Sequence, residues 1–146
     1  MPLTTTCHCG AVTIEMRRKV RKLTQCNCSI CRRYGALWAY QQRKALIVRS
    51  ERGALRSYSW GKKQDEFFHC AKCGCVSHYE HTEKRADGSD MAAVNMRNVT
   101  DPARIADLPI RLLDGDGNWK VLREDPQPGL FISPSRLVGT APADRK

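Results

Sequence analysis

Val12, Ile14 and Met16 alternate with Thr13 and Glu15, the period of two that marks a strand with one face buried. Short runs rich in β-branched and aromatic residues, bounded by Gly, Pro, Asn or Asp, predict further strands over 23–25, 36–41, 46–49, 55–60, 66–69, 76–80, 91–96 and 110–113. Helix signals are few. Ser29 is placed to cap a brief helix over 30–34 that Gly35 would end, and Asp101-Pro102-Ala103-Arg104 reads as a capped turn. Asp114-Gly115-Asp116-Gly117-Asn118 predicts a tight reversal before Trp119. After Asp125 the periodicity stops, and Pro126, Pro128, Pro134 and Pro142 predict an irregular tail. The pattern as a whole predicts a mainly β domain of short antiparallel strands over residues 1–125 and a proline-rich C-terminal tail over 126–146.

At 146 residues the chain suits one domain whose modest core gains from covalent or metal reinforcement. Lys and Arg outnumber Asp and Glu by 25 to 15, and the net charge of +10 favours anionic partners without choosing among them. Arg17, Arg18, Lys19, Arg21 and Lys22 form a basic run broken by Val20, read as a solvated hairpin tip rather than an anion-binding rim. The N-terminus lacks the apolar core of a signal peptide, and the longest aliphatic run, Ala45-Leu46-Ile47-Val48, is too short to cross a bilayer. A soluble, cytoplasmic protein without membrane partners is expected.

All eight cysteines fall in three knots: Cys7-His8-Cys9, Cys26-Asn27-Cys28-Ser29-Ile30-Cys31, and Cys70-Ala71-Lys72-Cys73-Gly74-Cys75. In a reducing compartment, thiols at one- and two-residue gaps read as metal ligands, because neighbours so close rarely meet disulfide geometry. A structural zinc site takes four ligands, usually as two close pairs from separate segments, and Cys7/Cys9 with Cys70/Cys73 supply two such pairs. Cys26, Cys28 and Cys31 are left as a tripod, and three protein ligands with an open position is the arrangement of catalytic zinc. The alternative is that all three knots serve structure, with Cys75, His69, His78 or His81 closing the second site. Two strands bracketing Cys70-x-x-Cys73-Gly74 describe a zinc-knuckle hairpin. An iron–sulfur cluster is disfavoured, since no four-cysteine string has ferredoxin-type spacing.

Cys-x-Cys-Gly near the start, Cys-x-Cys-Ser-x-Cys-Arg, and Cys-x-x-Cys-Gly, in that order, resemble the glutathione-dependent formaldehyde-activating enzyme family, which also includes centromere protein V. Val94-Asn95-Met96-Arg97 and Asp114-Gly115 through Asn118-Trp119 are similar to the family's later signatures, so the resemblance spans roughly residues 5–120. It implies a β-tent fold stapled by two zinc ions, a structural one on Cys7, Cys9, Cys70 and Cys73 and a second on Cys26, Cys28 and Cys31. It also implies a carbon–sulfur lyase-type activity: joining formaldehyde to glutathione to give S-hydroxymethylglutathione. Asn27 stands where the family commonly has histidine, and Cys75 is additional. Glutathione carries two carboxylates, for which Arg32 and Arg33 are candidate contacts. Tyr34, just beyond them, is expected to pack as an aromatic.

The other class of function is a zinc-stabilised binding module for nucleic acid or protein without catalysis, encouraged by the net charge. Against it, the basic residues are scattered, aromatic stacking positions are not interleaved with them, and no recognition helix can be drawn.

Overall fold

The computed structural model describes residues 1–125; the tail read from the sequence over 126–146 lies outside the described residues. Eleven strands run in chain order as β1 (Leu3–Thr6), β2 (Val12–Met16), β3 (Leu23–Cys26), β4 (Trp38–Gln42), β5 (Leu46–Ser50), β6 (Leu55–Tyr58), β7 (Asp65–Cys70), β8 (Val76–His81), β9 (Met91–Asn95), β10 (Ile110–Leu113) and β11 (Val121–Asp125). The single α-helix described, α1 (Ser29–Tyr34), follows β3, and three short 3-10 turns complete the elements. The architecture is mainly β, as the alternation predicts.

The strands form two sheets, one of three strands in the order β1-β2-β5 and one of eight in the order β11-β10-β3-β4-β9-β8-β7-β6. The central strands of the larger sheet are buried on both faces. Ala39, Ala92 and Val94 point into the main core with Ile14, Met16 and Leu46 of the small sheet, while Trp38 and Ala93 point the other way with Phe67, Tyr79, Cys26 and Cys31. A strand buried on both sides has no polar positions to alternate, so 91–96 reads in the sequence as a continuous apolar run. The small sheet covers one face, and the aromatic cluster and the cysteine trio build up the other.

Three local expectations are corrected. The residues 17–22 do not tip a hairpin: β2 and β3 belong to different sheets, and the segment crosses between them with Val20 buried as its anchor. The N-cap of α1 is Cys28, not Ser29, and no side chain caps it, whereas Gly35 does end the helix with φ +58°. One strand pair, β3–β10, is parallel. It arises because the chain leaves β9, runs along the edge of the small sheet through the Thr100 amide on the Thr4 carbonyl (2.9 Å), and only then returns beside β3.

Two strands escape the hydrophobic pattern. Leu3-Thr4-Thr5-Thr6 has one strongly apolar residue and is held by pairing with β2, with Thr5 buried on the inner side. Val121–Asp125 pairs with β10 at the sheet edge, where burial demands little.

The Asn95-x-Arg97 motif has a structural explanation. Asn95 is buried, its Oδ1 accepts the amides of Leu37 and Arg97 (each 3.2 Å), and its Nδ2 donates to the Val76 carbonyl (2.9 Å). Arg97 Nε in turn donates to the Gly35 carbonyl (2.8 Å), beyond the end of α1. One amide side chain thus joins the entry to β4, the end of β9 and the start of β8. Replacing Asn95 by Leu takes the Oδ1 acceptor from the Leu37 amide, while the Val76 carbonyl keeps Asn98 Nδ2 (2.8 Å). At about 1–3 kcal/mol for a buried group left unsatisfied, chemical denaturation is expected to show a loss of about 1–3 kcal/mol.

Candidate metal centres and the cavity beside them

The two cysteine groups form in space. The sulfurs of Cys7, Cys9, Cys70 and Cys73 all lie within 4.8 Å of one another, and so do those of Cys26, Cys28 and Cys31. No histidine joins either group among the described residues. The neighbouring sulfurs Cys7–Cys9 and Cys9–Cys70 are each 3.6 Å apart. A metal at about 2.3 Å from four sulfurs places them roughly 3.8 Å apart along the edges of its tetrahedron. The observed separations suit a shared ion and far exceed a disulfide bond of about 2.05 Å.

The four-sulfur group joins two turns that are remote in sequence. Cys7 and Cys9 sit in the β1–β2 turn, closed by the Gly10 amide on the Cys7 carbonyl (2.9 Å). Cys70 ends β7, and the knuckle closes through Gly74, whose φ of +77° a side chain would oppose, with its amide on the Cys70 carbonyl at 2.8 Å. That curl turns backbone amides toward sulfur. The amides of Cys75 and Cys9 pull the Cys73 thiol down to about 5, the amides of Cys73 and Lys72 lower Cys70, and the Val12 amide reaches Cys7 Sγ at 3.3 Å. Donors aimed at sulfur favour the thiolate, the form that binds metal. Cys75 stays outside the group and packs, partly buried, against Cys7, Ala11, Val12 and Ala54.

The three-sulfur group is built by the end of β3 and the start of α1. Cys26 and Cys31 are buried and Cys28 is partly exposed. The Cys31 thiol pulls Cys26 down to about 6, helped by the amides of Cys28 and Gly115 against the cost of burial. Cys31 is pushed up by that same neighbour and by burial, while Trp38 Nε1 donates to its sulfur at 3.2 Å. Cys26 is therefore more readily ionised than Cys31, its hydrogen-bond partner in the trio.

The 114–119 loop lies directly on this group, and Asn27 holds it there. Asn27 Nδ2 donates to Asp114 Oδ1 and Asn27 Oδ1 accepts the Asp116 amide, both at 3.0 Å. Between these two clamps Gly115 comes so close that a Cβ on it would stand 2.4 Å from Cys26 Sγ and 2.9 Å from Cys28 Cβ. Here glycine is required by contact and not by backbone angle. The sequence marked this stretch as a reversal and as part of the family resemblance without placing it on the trio; Asn27, whose side chain clamps it there, was the residue that could have tied the two together.

A cavity of about 1010 Å³ opens onto the trio, with Cys26, Cys28 and Cys31 in its lining. Its walls carry the aromatics Tyr40, Phe67 and Tyr79, with the half-exposed Trp60 and the exposed Trp119 also lining it. Arg111 lies on the wall, its Nε donating to Thr24 Oγ1 (2.7 Å) and its guanidinium 5.6 Å from the centre of the Tyr40 ring. Arg32 and Arg33 are exposed on α1, Arg33 donating to the Ser29 carbonyl at 2.8 Å, and neither lines this cavity. Tyr34 packs against Phe67, ring centres 5.8 Å apart, and burial raises its hydroxyl above the usual range.

Over residues 2–107 the sequence matches the glutathione-dependent formaldehyde-activating enzyme family. The chain belongs to that family. Its fold is similar to the crystal structure of a Rhodobacter sphaeroides protein determined as a Northeast Structural Genomics target, at 28% identity and a TM-score of 0.58, covering 73% of this chain and 98% of that one. No curated protein matches the sequence. The family match ends before the 114–119 loop, so the contact between Gly115 and the trio comes from this structure.

Gly115→Ala drives a methyl into Cys26 Sγ. Metal titration is expected to show affinity at the three-sulfur group falling by about tenfold or more, the range for disturbed support of a metal ligand, while the four-sulfur group binds as before. Equal affinity at both groups in variant and wild type would show that the loop can withdraw freely.

Proposed function

We propose that the protein adds a small aldehyde, formaldehyde, to a thiol such as glutathione, giving S-hydroxymethylglutathione, and so acts as a carbon–sulfur lyase-type enzyme carrying two zinc ions. The observation that carries this reading is the asymmetry between the two sulfur groups. One draws four sulfurs from two turns, a complete tetrahedral set, while the other has three and faces a cavity large enough for a tripeptide thiol. Membership of the family supports the choice of glutathione and formaldehyde.

The donor sets fit zinc. All-thiolate coordination at tetrahedral spacing is what zinc takes in structural sites, and three ligands with a free position is its catalytic form. Cys7, Cys9, Cys70 and Cys73 would hold the structural ion and Cys26, Cys28 and Cys31 the second. Bound there, zinc supplies Lewis-acid chemistry that favours the thiolate form of an incoming thiol or polarises a carbonyl.

The chain's own residues supply the rest. Trp38 and the amides of Cys28 and Gly115 stabilise negative charge on the trio. Tyr40, Phe67 and Tyr79 wall the cavity with aromatic surface, which limits water around the reacting groups. Arg111 presents a guanidinium on that wall for a substrate carboxylate, and Arg32 and Arg33, exposed on α1, are proposed contacts for a carboxylate reaching out beyond it. Among the described residues no helix is long and apolar enough to cross a membrane; the cytoplasmic setting and the small-molecule partners belong to the proposal.

The test pairs metal content with activity in wild type and Cys28→Ser. Wild type is expected to hold about two zinc ions per chain and to consume formaldehyde in a glutathione-dependent manner; the variant is expected to hold about one, stay folded and lose the activity. Unchanged metal content together with unchanged turnover would remove the trio from the reaction.

A further inference from the structure

The thiol–aldehyde reaction moves one proton from sulfur to oxygen, and the trio has no group to carry it once its sulfurs are metal ligands. The cavity wall does. Asp65 opens β7 and His81 closes β8, the two are partners in register across the hairpin, and both line the cavity. His81 Nδ1 contacts Asp65 Oδ1, which leaves Nε2 without a protein partner among the described residues. Asp65 is partly buried, and burial raises its carboxyl while His81 opposes the rise. His81 and the trio line the same cavity, with Tyr79 and Trp38 standing between them. His81 is 6.1 Å from Tyr79 and Tyr79 4.9 Å from Trp38 between ring centres, and Trp38 Nε1 is 3.2 Å from Cys31 Sγ, so a proton is exchanged with a substrate that spans the cavity, directly or through one water.

The other histidine of β8 shows the contrast. His78 is buried with both nitrogens engaged, Nδ1 with Ser77 Oγ (2.9 Å) and Nε2 with Glu80 Oε1 (3.2 Å), and its ring stacks on Phe68. It is fastened on every side and lies outside the cavity lining. His81 has one nitrogen against the Asp65 carboxylate and the other without a protein partner among the described residues, so Nε2 is the nitrogen open to exchange a proton in the cavity.

We propose that His81 is the catalytic proton carrier of this cavity and that Asp65 is the residue that positions it. The inference rests on the function proposed above. His81 Nε2 takes the proton of the substrate thiol, and the sulfur electron pair forms the C–S bond to the aldehyde carbon. The π pair of the carbonyl moves onto oxygen, and Nε2 returns the same proton there. One S–H bond and one C=O π bond are broken, one C–S and one O–H bond are formed, and no oxidant or reductant is needed. Lys62, Glu83, Lys84 and Arg85 are the charged groups that line the cavity from the adjoining turns.

The experiment measures adduct formation from formaldehyde and glutathione, above the spontaneous rate, in zinc-loaded wild type, His81→Ala, His81→Gln and Asp65→Asn, with zinc content recorded for each. Both His81 variants are expected to keep their zinc, to lose about 10²–10⁴-fold in kcat with little change in KM, and His81→Ala to regain part of the rate when imidazole is added. Asp65→Asn is expected to lose less and to gain nothing from imidazole. Glutamine preserves the shape of the side chain, so a reading survives if the alanine variant fails to fold. Wild-type kcat in the His81 variants, or a loss in His81→Ala that imidazole does not restore while zinc is retained, overturns the assignment alone. A wild type without activity overturns it together with the proposed function.

Discussion

Sulfur brought to sulfur across the chain is the constraint on which this fold depends. Cys7 and Cys9 lie more than sixty residues before Cys70 and Cys73, in a different sheet, yet their sulfurs stand 3.6 Å apart where the two turns meet. Thiols at such spacing are polar groups crowded together, and without an ion some must stay protonated while others carry charge. An ion shared by four sulfurs would remove that conflict and would fasten the three-stranded sheet to the knuckle of the eight-stranded one. Structural zinc contributes on the order of 10–16 kcal/mol in small domains, comparable with the whole stability of a domain this size.

The second sulfur group follows from the first by way of the sheet. The knuckle terminates β7 and β8, whose inner face carries Phe67 and Tyr79 to Trp38, and Trp38 hands a hydrogen bond to Cys31. The trio is therefore seated on an aromatic floor set by strands that the first group fastens. Its roof is the 114–119 loop, held by Asn27 and pressed onto Cys26 at Gly115. What differs between the groups is the number of sulfurs and what they face. Two turns bring a complete set of four together, with Cys9 exposed, while the three-sulfur group faces a cavity, so one suits an ion that fixes shape and the other an ion that meets a guest.

Much of this was legible in the residues. The period-two stretch 12–16 located β2, the Cys-x-x-Cys-Gly stretch located the β7–β8 knuckle, and the gaps between cysteines divided seven thiols into four and three as the structure groups them. What stayed hidden depends on tertiary partners. Leu3–Thr6 is a strand because β2 pairs with it and not because its residues alternate. The parallel β3–β10 pair is the product of a long crossing that no local pattern encodes. Arg32 and Arg33 stand next to the trio in sequence but point from the outside of α1, whereas Arg111, Asp65 and His81 reach the cavity from strands distant in sequence. A cavity wall is assembled by topology, so proximity along the chain is a poor guide to who lines it.

The central claim is that the ions are held by sulfur alone from the protein, four atoms in one place and three in the other. X-ray absorption at the zinc edge of the zinc-loaded protein tests this directly, since it counts ligands by type. With four and three sulfurs shared between two ions, the account predicts a shell averaging about 3.5 sulfurs at about 2.3 Å and about half a lighter atom at about 2.0–2.2 Å. A shell dominated by imidazole nitrogen, or one with two or fewer sulfurs per zinc, would contradict it.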